Sequence, residues 1–503
     1  MNIFFWEKLV GRCVNKLKFV FAVWVSFFLT IAVFGQNLAP VNNLIDKYKS
    51  STLLKNSQWC LYAEYLENGK TLINHNSDMS VAPASGLKVF TSITALEILG
   101  EDFRFQTKIY YDGKLNGNIL DGNVFIVGGG DPTLGSDLVK GSLPLMELIS
   151  KIISDIQLLG IQKITGSVIA DCSAYEYQPI PDNWNYIDIG NYYGASSSAL
   201  SINENLYRLF FRPGKKVGDI AEVIRTEPEI PNLTFTNLMR TGESGSGDNG
   251  YIYNAPLQYN AYLQGTVPKG ANEFVIKGSI PDPPLFTAEL LLTELNKKGI
   301  IIAGGSQKTY VKQNYNKLKL VTTIFSPPLK DIVYILNKRS NNLYAELLLK
   351  AIAYKSNGIG STSEGIKIVE QFLSKEKINT NGFNISDGSG LSRSNMISAR
   401  MMTKLLSAVS RKNYFNAFYN SLGIVGDSND IGFYKNLGIG TALEKNAHIK
   451  SGVIQGVRSY SGFIKDRNGK TIIFSMIANN FDGSGARVSE IHREIMNELA
   501  NLK

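Results

Sequence analysis

The spacing of hydrophobic residues near the N-terminus predicts a β-hairpin followed by a helix. In "SQWCLYAEYLENGKTLINHN" (57–76), two apolar-rich stretches flank an Asn-Gly pair, which favours a tight hairpin turn. The next segment, "APASGLKVFTSITALEILG" (82–100), has apolar residues at helical spacing, namely Leu87, Phe90, Ile93 and Leu96. A proline ahead of this run and a glycine after it are typical helix boundaries, so Ser85 and Lys88 fall on the first turn.

The pattern changes between about residues 101 and 283, where short strand-like pieces alternate with glycine-rich turns. Examples are "VGGGDPTLG" (127–135) and the polar stretch "RTGESGSGDNG" (240–250). This composition predicts one or two inserted, mostly β domains. Helical periodicity returns in "LFTAELLLTELNKKGI" and "LKDIVYILNKRSNNLYAELLLKAIAYK".

Three strand-like stretches follow one another near the C-terminus: "NAHIKSGVI", "VRSYSGFIKD" and "KTIIFSMIANN". A closing helix carries apolar residues on one face, namely Val488, Ile491, Ile495 and Leu499. The N-terminal hairpin and this meander can complete one antiparallel sheet packed by helices, with the middle of the chain inserted. The pattern therefore predicts an α+β, multidomain protein.

Residues 1–35 have the layout of a secretory signal peptide. Four basic residues precede the uncharged run "FVFAVWVSFFLTIAVFG" (19–35), which ends in small residues suited to cleavage. An uncleaved anchor is the alternative, because a run of this length reaches the short limit of the roughly 17–25 residues that span a bilayer. We therefore expect secretion across the inner membrane and a location in the periplasm or cell envelope.

The composition, with 503 residues of which 44% are hydrophobic and 19% charged, suits a globular protein of two or three domains. The formal net charge of +9 falls to +6 without residues 1–35, which hold four Lys/Arg and one Asp/Glu. This mild excess suits anionic surroundings and allows peripheral membrane association, but no basic run is long enough to indicate nucleic acid. Cys60 and Cys172 are expected as free thiols rather than a disulfide. The three histidines lack metal-ligand spacing, so neither a metal nor a cofactor is expected.

Ser85 and Lys88 form an S-x-x-K pair, and their spacing of three places both side chains on one side of the helix. A serine hydroxyl is a weak nucleophile without a neighbouring base, and a lysine is a base only when neutral. Partial burial, a nearby positive charge and the helix dipole each lower a lysine pKa. The pair alone is weak evidence, since Ser374 and Lys377 have the same spacing in an ordinary polar helix.

Two further motifs strengthen the hypothesis of a catalytic serine. Ser340-Asn341-Asn342 is an S-x-N at a turn between helices, and Lys450-Ser451-Gly452 is a K-[ST]-G on a strand. With Ser85 they occur in the order of the penicillin-recognising serine enzymes. Other stretches agree, among them "VGGGDPTL", "SALSINEN", "DGSGLSRSN" and "KSGVIQGVRSYSGFI".

On these motifs the sequence resembles the class C low-molecular-mass penicillin-binding proteins, the D-alanyl-D-alanine carboxypeptidase/endopeptidases of the penicillin-binding protein 4 type. The resemblance implies a β-lactamase/transpeptidase-like catalytic domain with two nested, mostly β inserted domains. The implied division is residues 37–98 and 284–503 for the catalytic domain, 99–195 and 260–283 for the first insert, and 196–259 for the second. Lys-Ser-Gly stands where this family more often has Lys-Thr-Gly, and Ser451 keeps the hydroxyl.

The resemblance also implies roles for the motif residues. Ser85 is the nucleophile, Lys88 its base, Ser340 the relay to the leaving amine, and Asn342 holds the peptide carbonyl and positions Lys88. Substrate-binding positions are expected on the strand, at Lys450, Ser451, Gly452 and Val453. The lysine and serine there bind the free carboxylate of the substrate, and the backbone N–H groups of Ser85 and Val453 form the oxyanion hole.

Specificity is expected from "PDNWNYIDIGNYYGA" (181–195) in the inserted region. From the residues alone, a loop held by Trp184 with Asp188 capping a turn is the simpler interpretation. The resemblance implies instead that Asp188 pairs with the free amino group of the substrate's diamino acid and that Trp184 packs along its methylene stem.

The predicted substrates are peptidoglycan stem peptides, and β-lactams are the predicted inhibitors. Two alternatives stay open at this point. A serine β-lactamase has little need for so large an inserted region, and a catalytically weak cell-wall-binding protein has little need for the complete set of motifs.

Overall fold

The computed structural model describes residues 37–503. The predicted signal peptide or anchor of residues 1–35 lies outside the described residues. Within 37–503, no helix combines the length and the hydropathy that crossing a bilayer requires.

Residues 37–503 contain eleven α-helices. They are α1 (Ala39–Lys49), α2 (Lys88–Leu99), α3 (Leu145–Gln157), α4 (Tyr186–Ile189), α5 (Pro283–Lys297), α6 (Leu329–Arg339), α7 (Asn342–Asn357), α8 (Thr362–Lys375), α9 (Ala399–Val409), α10 (Phe415–Ser421) and α11 (Gly485–Ala500).

The same residues contain 22 β-strands. They are β1 (Gln58–Tyr65), β2 (Thr71–His75), β3 (Gln106–Tyr111), β4 (Lys114–Asn116), β5 (Ile119–Asp121), β6 (Val124–Val127), β7 (Lys163–Ile164), β8 (Val168–Asp171), β9 (Leu206–Arg212), β10 (Glu222–Glu227), β11 (Thr234–Asn237), β12 (Arg240–Gly242), β13 (Asn249–Tyr253), β14 (Asn260–Pro268), β15 (Phe274–Ser279), β16 (Ile301–Ile302), β17 (Ser306–Thr309), β18 (Lys319–Phe325), β19 (Gly423–Ile424), β20 (His448–Ile454), β21 (Val457–Lys465) and β22 (Thr471–Asn479).

One antiparallel sheet joins the two ends of the chain, as the hydrophobic pattern predicts. Its strand order is β19-β20-β21-β22-β1-β2, so the N-terminal hairpin adds to the edge of the C-terminal meander. The register places Cys60 of β1 opposite Ile477 of β22. This cysteine and Cys172 are both free and buried.

Each face of this sheet is covered by helices. On one face a buried apolar cluster includes residues of α2 and α6 to α10, and on the other a second cluster includes residues of α1 and α11. Helix α2 has an almost continuous buried surface from Lys88 to Leu96. A helix this enclosed holds its first turn firmly, which fixes the position of the serine just before it.

The inserted region begins after α2 and forms its own sheets. The larger outer sheet has the order β17-β8-β6-β3-β18, and a smaller one has the order β16-β7-β5-β4. Because β16, β17 and β18 pair with strands of the first insert, the second catalytic segment begins near α6 rather than at residue 284. The domain division stays a proposal, with this boundary moved to about residue 326.

The inner insert holds two further sheets. One has the order β10-β9-β15, and the other joins β11, β12 and β13 to β14. Since β14 and β15 pair with β9 to β13, the inner unit extends to about residue 280 rather than 259. A single apolar cluster runs through both inserts and includes Leu343 and Leu347 of α7. The inserts are therefore packed against the catalytic helices.

Candidate active site

The turn that carries Ser85 is a 3₁₀ turn, Ala84–Leu87, leading directly into α2. Ser85 is half-buried, whereas Lys88 is fully buried. The prediction that the two share the start of a helix is thus confirmed by the geometry, with Ser85 one short turn ahead of the α-helix proper.

Lys88 joins the first two motifs. Its Nζ lies 2.9 Å from Ser85 Oγ and 2.6 Å from Asn342 Oδ1, and it donates to the Ser389 carbonyl at 2.5 Å. Burial lowers the pKa of Lys88 to about 7, against the opposing pull of the Asp387 and Glu346 carboxylates. At neutral pH a large fraction of Lys88 is therefore uncharged and able to accept a proton.

The second motif lies where α6 ends and α7 begins. Ser340 caps α6 in a left-handed conformation with φ 54°, which costs a non-glycine residue about 1–3 kcal/mol. Asn342 opens α7, and its Nδ2 donates to the Tyr193 carbonyl at 2.7 Å. The inserted region thereby fixes which side of this amide faces Lys88.

The third motif reaches the second through Lys450. This residue is on β20, is 1% exposed, and donates from Nζ to Ser340 Oγ at 2.9 Å and to the Ser451 carbonyl at 2.8 Å. Burial, and then the charge of Lys88, lower the pKa of Lys450 well below its usual range. Among residues 37–503 no carboxylate forms an ion pair with it.

The strand that follows Lys450 packs directly against the serine turn. A Cβ on Gly452 would lie 2.1 Å from the Pro83 carbonyl oxygen and 2.8 Å from the Gly86 nitrogen, so only glycine fits there. Ser451 accepts a hydrogen bond from the Tyr434 hydroxyl, a contact that the sequence did not indicate. Val453, two residues further along the strand, has an exposed side chain.

Two buried carboxylates, those of Glu346 and Asp387, lie near enough to Lys88 to act on its charge. Glu346 accepts hydrogen bonds from the backbone N–H groups of Gly388 and Ser389, and burial followed by repulsion from Asp387 raises its pKa. Sequence reasoning missed Glu346. The spacing offered a clue, because Asn342, Glu346 and Lys350 recur at every fourth position of a helix whose other residues are buried from Leu343 to Ala353.

Trp184 and Asp188 have different surroundings. Trp184 is 8% exposed and donates from Nε1 to Asp387 Oδ2 at 2.8 Å, so its burial does not support the expected packing along a substrate. Asp188 is half-buried, and burial raises its pKa, while Asn185, Tyr193 and the charge of Arg393 oppose the rise.

The comparison with known proteins decides the family. A model of the D-Ala-D-Ala carboxypeptidase 3 (S13) family matches residues 41–502. The chain belongs to this family. The family predicted from the sequence and its hydrolase class are thereby confirmed.

Individual relatives cover almost the whole chain. A D-alanyl-D-alanine carboxypeptidase of Actinomadura sp. (strain R39) is 26% identical over 461 residues, 89% of this chain and 82% of that protein. The D-alanyl-D-alanine carboxypeptidase DacB of Haemophilus influenzae is 24% identical over 496 residues, 96% of this chain and 99% of that protein. The crystal structure of H. influenzae penicillin binding protein 4 (dacB) covers 92% of this chain and 99% of its own, with a TM-score of 0.79 and 23% identity. This likeness confirms the predicted fold class.

Proposed function

We propose that this protein is a serine D-Ala-D-Ala carboxypeptidase that also hydrolyses D,D cross-links in peptidoglycan, through an acyl-enzyme on Ser85. The position of Lys88 carries the proposal, because its buried Nζ lies 2.9 Å from Ser85 Oγ and has a pKa of about 7. Family membership supports the substrate class. Among residues 37–503 no group of three or more His, Cys, Asp or Glu side chains could hold a metal ion.

Neutral Lys88 accepts the hydroxyl proton of Ser85 as Oγ bonds to the carbonyl carbon of the penultimate D-alanine. The backbone N–H groups of Ser85 and Val453 hold the oxyanion, and each such donor typically contributes about 3 kcal/mol. The C–N bond then breaks, and the leaving amine takes a proton through Ser340. Water hydrolyses the ester, which releases the shortened peptide and restores the Ser85 hydroxyl.

We propose that Lys450 and the hydroxyl of Ser451 bind the free carboxylate of the substrate, while Gly452 allows the strand to lie close to the serine turn. Its Nζ has only neutral partners, so a substrate carboxylate would supply the counter-charge that keeps it protonated. Such a contact is a charge-assisted hydrogen bond, one of the stronger kinds.

Lys450→Met should therefore lower kcat/KM for a peptide ending in a free D-alanine by roughly 10–100-fold, the usual cost of a charged hydrogen bond. The wild type should cleave the C-terminally amidated peptide far less well than the free acid, and the variant should lose this preference. Steady-state kinetics on the two peptides measure it. Lys445→Met, an exposed lysine in the preceding loop, is the control. Equal wild-type rates on both peptides would show that Lys450 has another role.

The free end of the diamino acid is proposed to bind at Asp188. Arg393 is near enough to affect the pKa of this carboxylate, so the two side chains offer opposite charges to a group that carries both an ammonium and a carboxylate. Trp184 acts as a positioning residue here, because it ties the segment that bears Asp188 to the buried Asp387.

Asp188→Asn should lower kcat/KM for peptides with the free amine while leaving acylation by penicillin nearly unchanged. The expected loss is about threefold to tenfold, since a partly exposed ion pair contributes up to about 1 kcal/mol and more when solvent is excluded. Asp182→Asn, an exposed aspartate six positions earlier, is the matched control. The same loss on an N-acetylated peptide would mean that Asp188 only supports the fold.

Room for a cross-linked substrate supports the endopeptidase activity. A cavity of about 730 Å³ is lined by Ser340 and Asn342 and by residues of both inserts, such as Tyr192 and Lys277. A second peptide strand could leave the site through this space. Digestion of purified peptidoglycan with product masses tests whether cross-linked dimers are consumed along with pentapeptides.

The proposed location is the periplasm or cell envelope, after secretion directed by residues 1–35.

A β-lactam complex exists for the H. influenzae structure, which supports inhibition of this protein by penicillin. A fluorescent penicillin should give a stable adduct, and its half-life distinguishes a peptidase from a β-lactamase, which would release the label. The mild positive charge suits anionic headgroups, and vesicle co-sedimentation tests peripheral association.

A further inference from the structure

A second cavity, of about 570 Å³, lies on the boundary between the catalytic helices and the first insert. Its walls come from the loop ahead of β3, from β3 itself, from residues 173–174, from residues 312–315 and from the C-terminal end of α7. It shares no lining residue with the cavity beside Ser340. Asn342 and Lys355 are about 20 Å apart along α7, so a ligand in this cavity would leave the catalytic site open.

The charges around this cavity have one sign. Four basic residues line it, Arg104, Lys108, Lys312 and Lys355, and no aspartate or glutamate does. Within 37–503 none of the three lysines forms a salt bridge. Arg104 donates to the Ser326 carbonyl at 2.9 Å, which leaves its charge without a counter-ion. Four cations around one concave space favour an anion there.

Aromatic rings supply the remaining walls. Tyr110 and Tyr315 stack with centroids 5.7 Å apart, and Tyr354 is 39% exposed at the rim. The Tyr315 hydroxyl donates to the fully buried Asp171 at 2.9 Å, and this carboxylate does not line the cavity. The volume falls within the roughly 300–1,000 Å³ of small-molecule sites, which are common between domains.

We propose that this cavity binds a carboxylate-bearing stem peptide of peptidoglycan, separately from the catalytic site. The proposal rests on the proposed function, which brings the protein into contact with such peptides. A stem peptide carries several free carboxylates on a short, partly apolar chain, which matches dispersed cations between tyrosine rings. A concave space of this size can hold a peptide of a few residues, whereas a protein that binds a membrane does so through a protruding surface.

The test measures binding to protein whose Ser85 has first been acylated with penicillin. Titration calorimetry with a soluble stem tetrapeptide should show one site, with affinity that falls as salt is added. The variant Lys108→Gln/Lys312→Gln/Lys355→Gln should weaken binding by roughly tenfold or more, since it removes three charged contacts. The control variant replaces three lysines of the same insert outside the cavity, Lys114, Lys163 and Lys319, and should bind as the wild type does.

Three results would overturn the proposal: no binding to the acylated protein at millimolar peptide, an equal loss in the control variant, or peptide binding that persists in the cavity variant. Inorganic phosphate and vesicles with anionic headgroups are titrated in parallel. If either binds through the three lysines while the tetrapeptide does not, the cavity has a phosphate ligand and the stem-peptide assignment is wrong. Failure of penicillin to acylate the protein would count against the proposed function instead, and the lysine comparison on untreated protein would still decide this site.

Discussion

Replacement of Ser85 by alanine is expected to abolish acylation by penicillin and to lower kcat for D-alanine release by roughly 10⁶-fold, as for other serine nucleophiles. The reason is that Lys88 has no other hydroxyl in hydrogen-bond contact among its described partners, which are Ser85, Asn342 and a carbonyl. Intact-mass and peptide-mass spectrometry after penicillin treatment should place the adduct on the Ser85 peptide.

Ser374→Ala is the matched control for this experiment. Ser374 has the same S-x-x-K spacing to Lys377, yet both side chains are exposed, so this pair is not enclosed as Ser85 and Lys88 are. The control should be labelled like the wild type. An adduct on Ser374, or full labelling of the Ser85→Ala variant, would show that the nucleophile is misassigned.

Replacement of Lys88 by methionine should lower the rate of acylation by about 10²–10⁴-fold, the usual contribution of a general base. In the wild type only neutral Lys88 accepts the proton, so the rate should rise with pH through about 7 and then level. Stopped-flow acylation over a pH series measures both effects. A wild-type rate that does not change between pH 5.5 and 8.5 would contradict the role of Lys88.

The variant Glu346→Gln tests the role of Lys88 a second time, through the direction in which the pH profile of acylation shifts. The Glu346 carboxylate favours protonated Lys88, so removing its charge should lower the pKa of Lys88 and move the rising limb to lower pH. The amide oxygen of glutamine can still accept one of the two backbone N–H bonds of Glu346. A limb that moves to higher pH, or a variant that only loses amplitude, would mean that Glu346 acts through structure alone.

The sequence predicts those parts of the site that depend on local spacing. Ser85 and Lys88 are three residues apart on one turn, and the hairpin and meander are visible as alternating apolar positions. Ser340 lies 255 positions after Ser85, and Lys450 lies 110 positions after Ser340. Only tertiary packing brings them to that turn, so predicting their contact required the family resemblance.

The remainder could not be predicted for physical reasons. The partners of Asn342 and Lys88 include the backbone carbonyl groups of Tyr193 and Ser389. Every residue type has such a carbonyl, so the sequence does not indicate these contacts. The strands at 301–325 are short and largely exposed, so no hydrophobic alternation assigns them to the inserted sheets. Asp387 resembles an ordinary turn residue in the sequence, and only the fold shows that it also holds Trp184.

The two hydrogen bonds that the insert sends into the catalytic site have a consequence for protein engineering. Tyr193 orients the amide of Asn342, and Trp184 is bonded to Asp387 in the turn that supplies a carbonyl to Lys88. The insert is therefore not a detachable module. A chimera that takes the insert of a relative must therefore also take that relative's turn at 387–395, so that the two stay matched. A minimal enzyme made by deleting residues 100–326 would lose both hydrogen bonds, and its Lys88 would be misaligned.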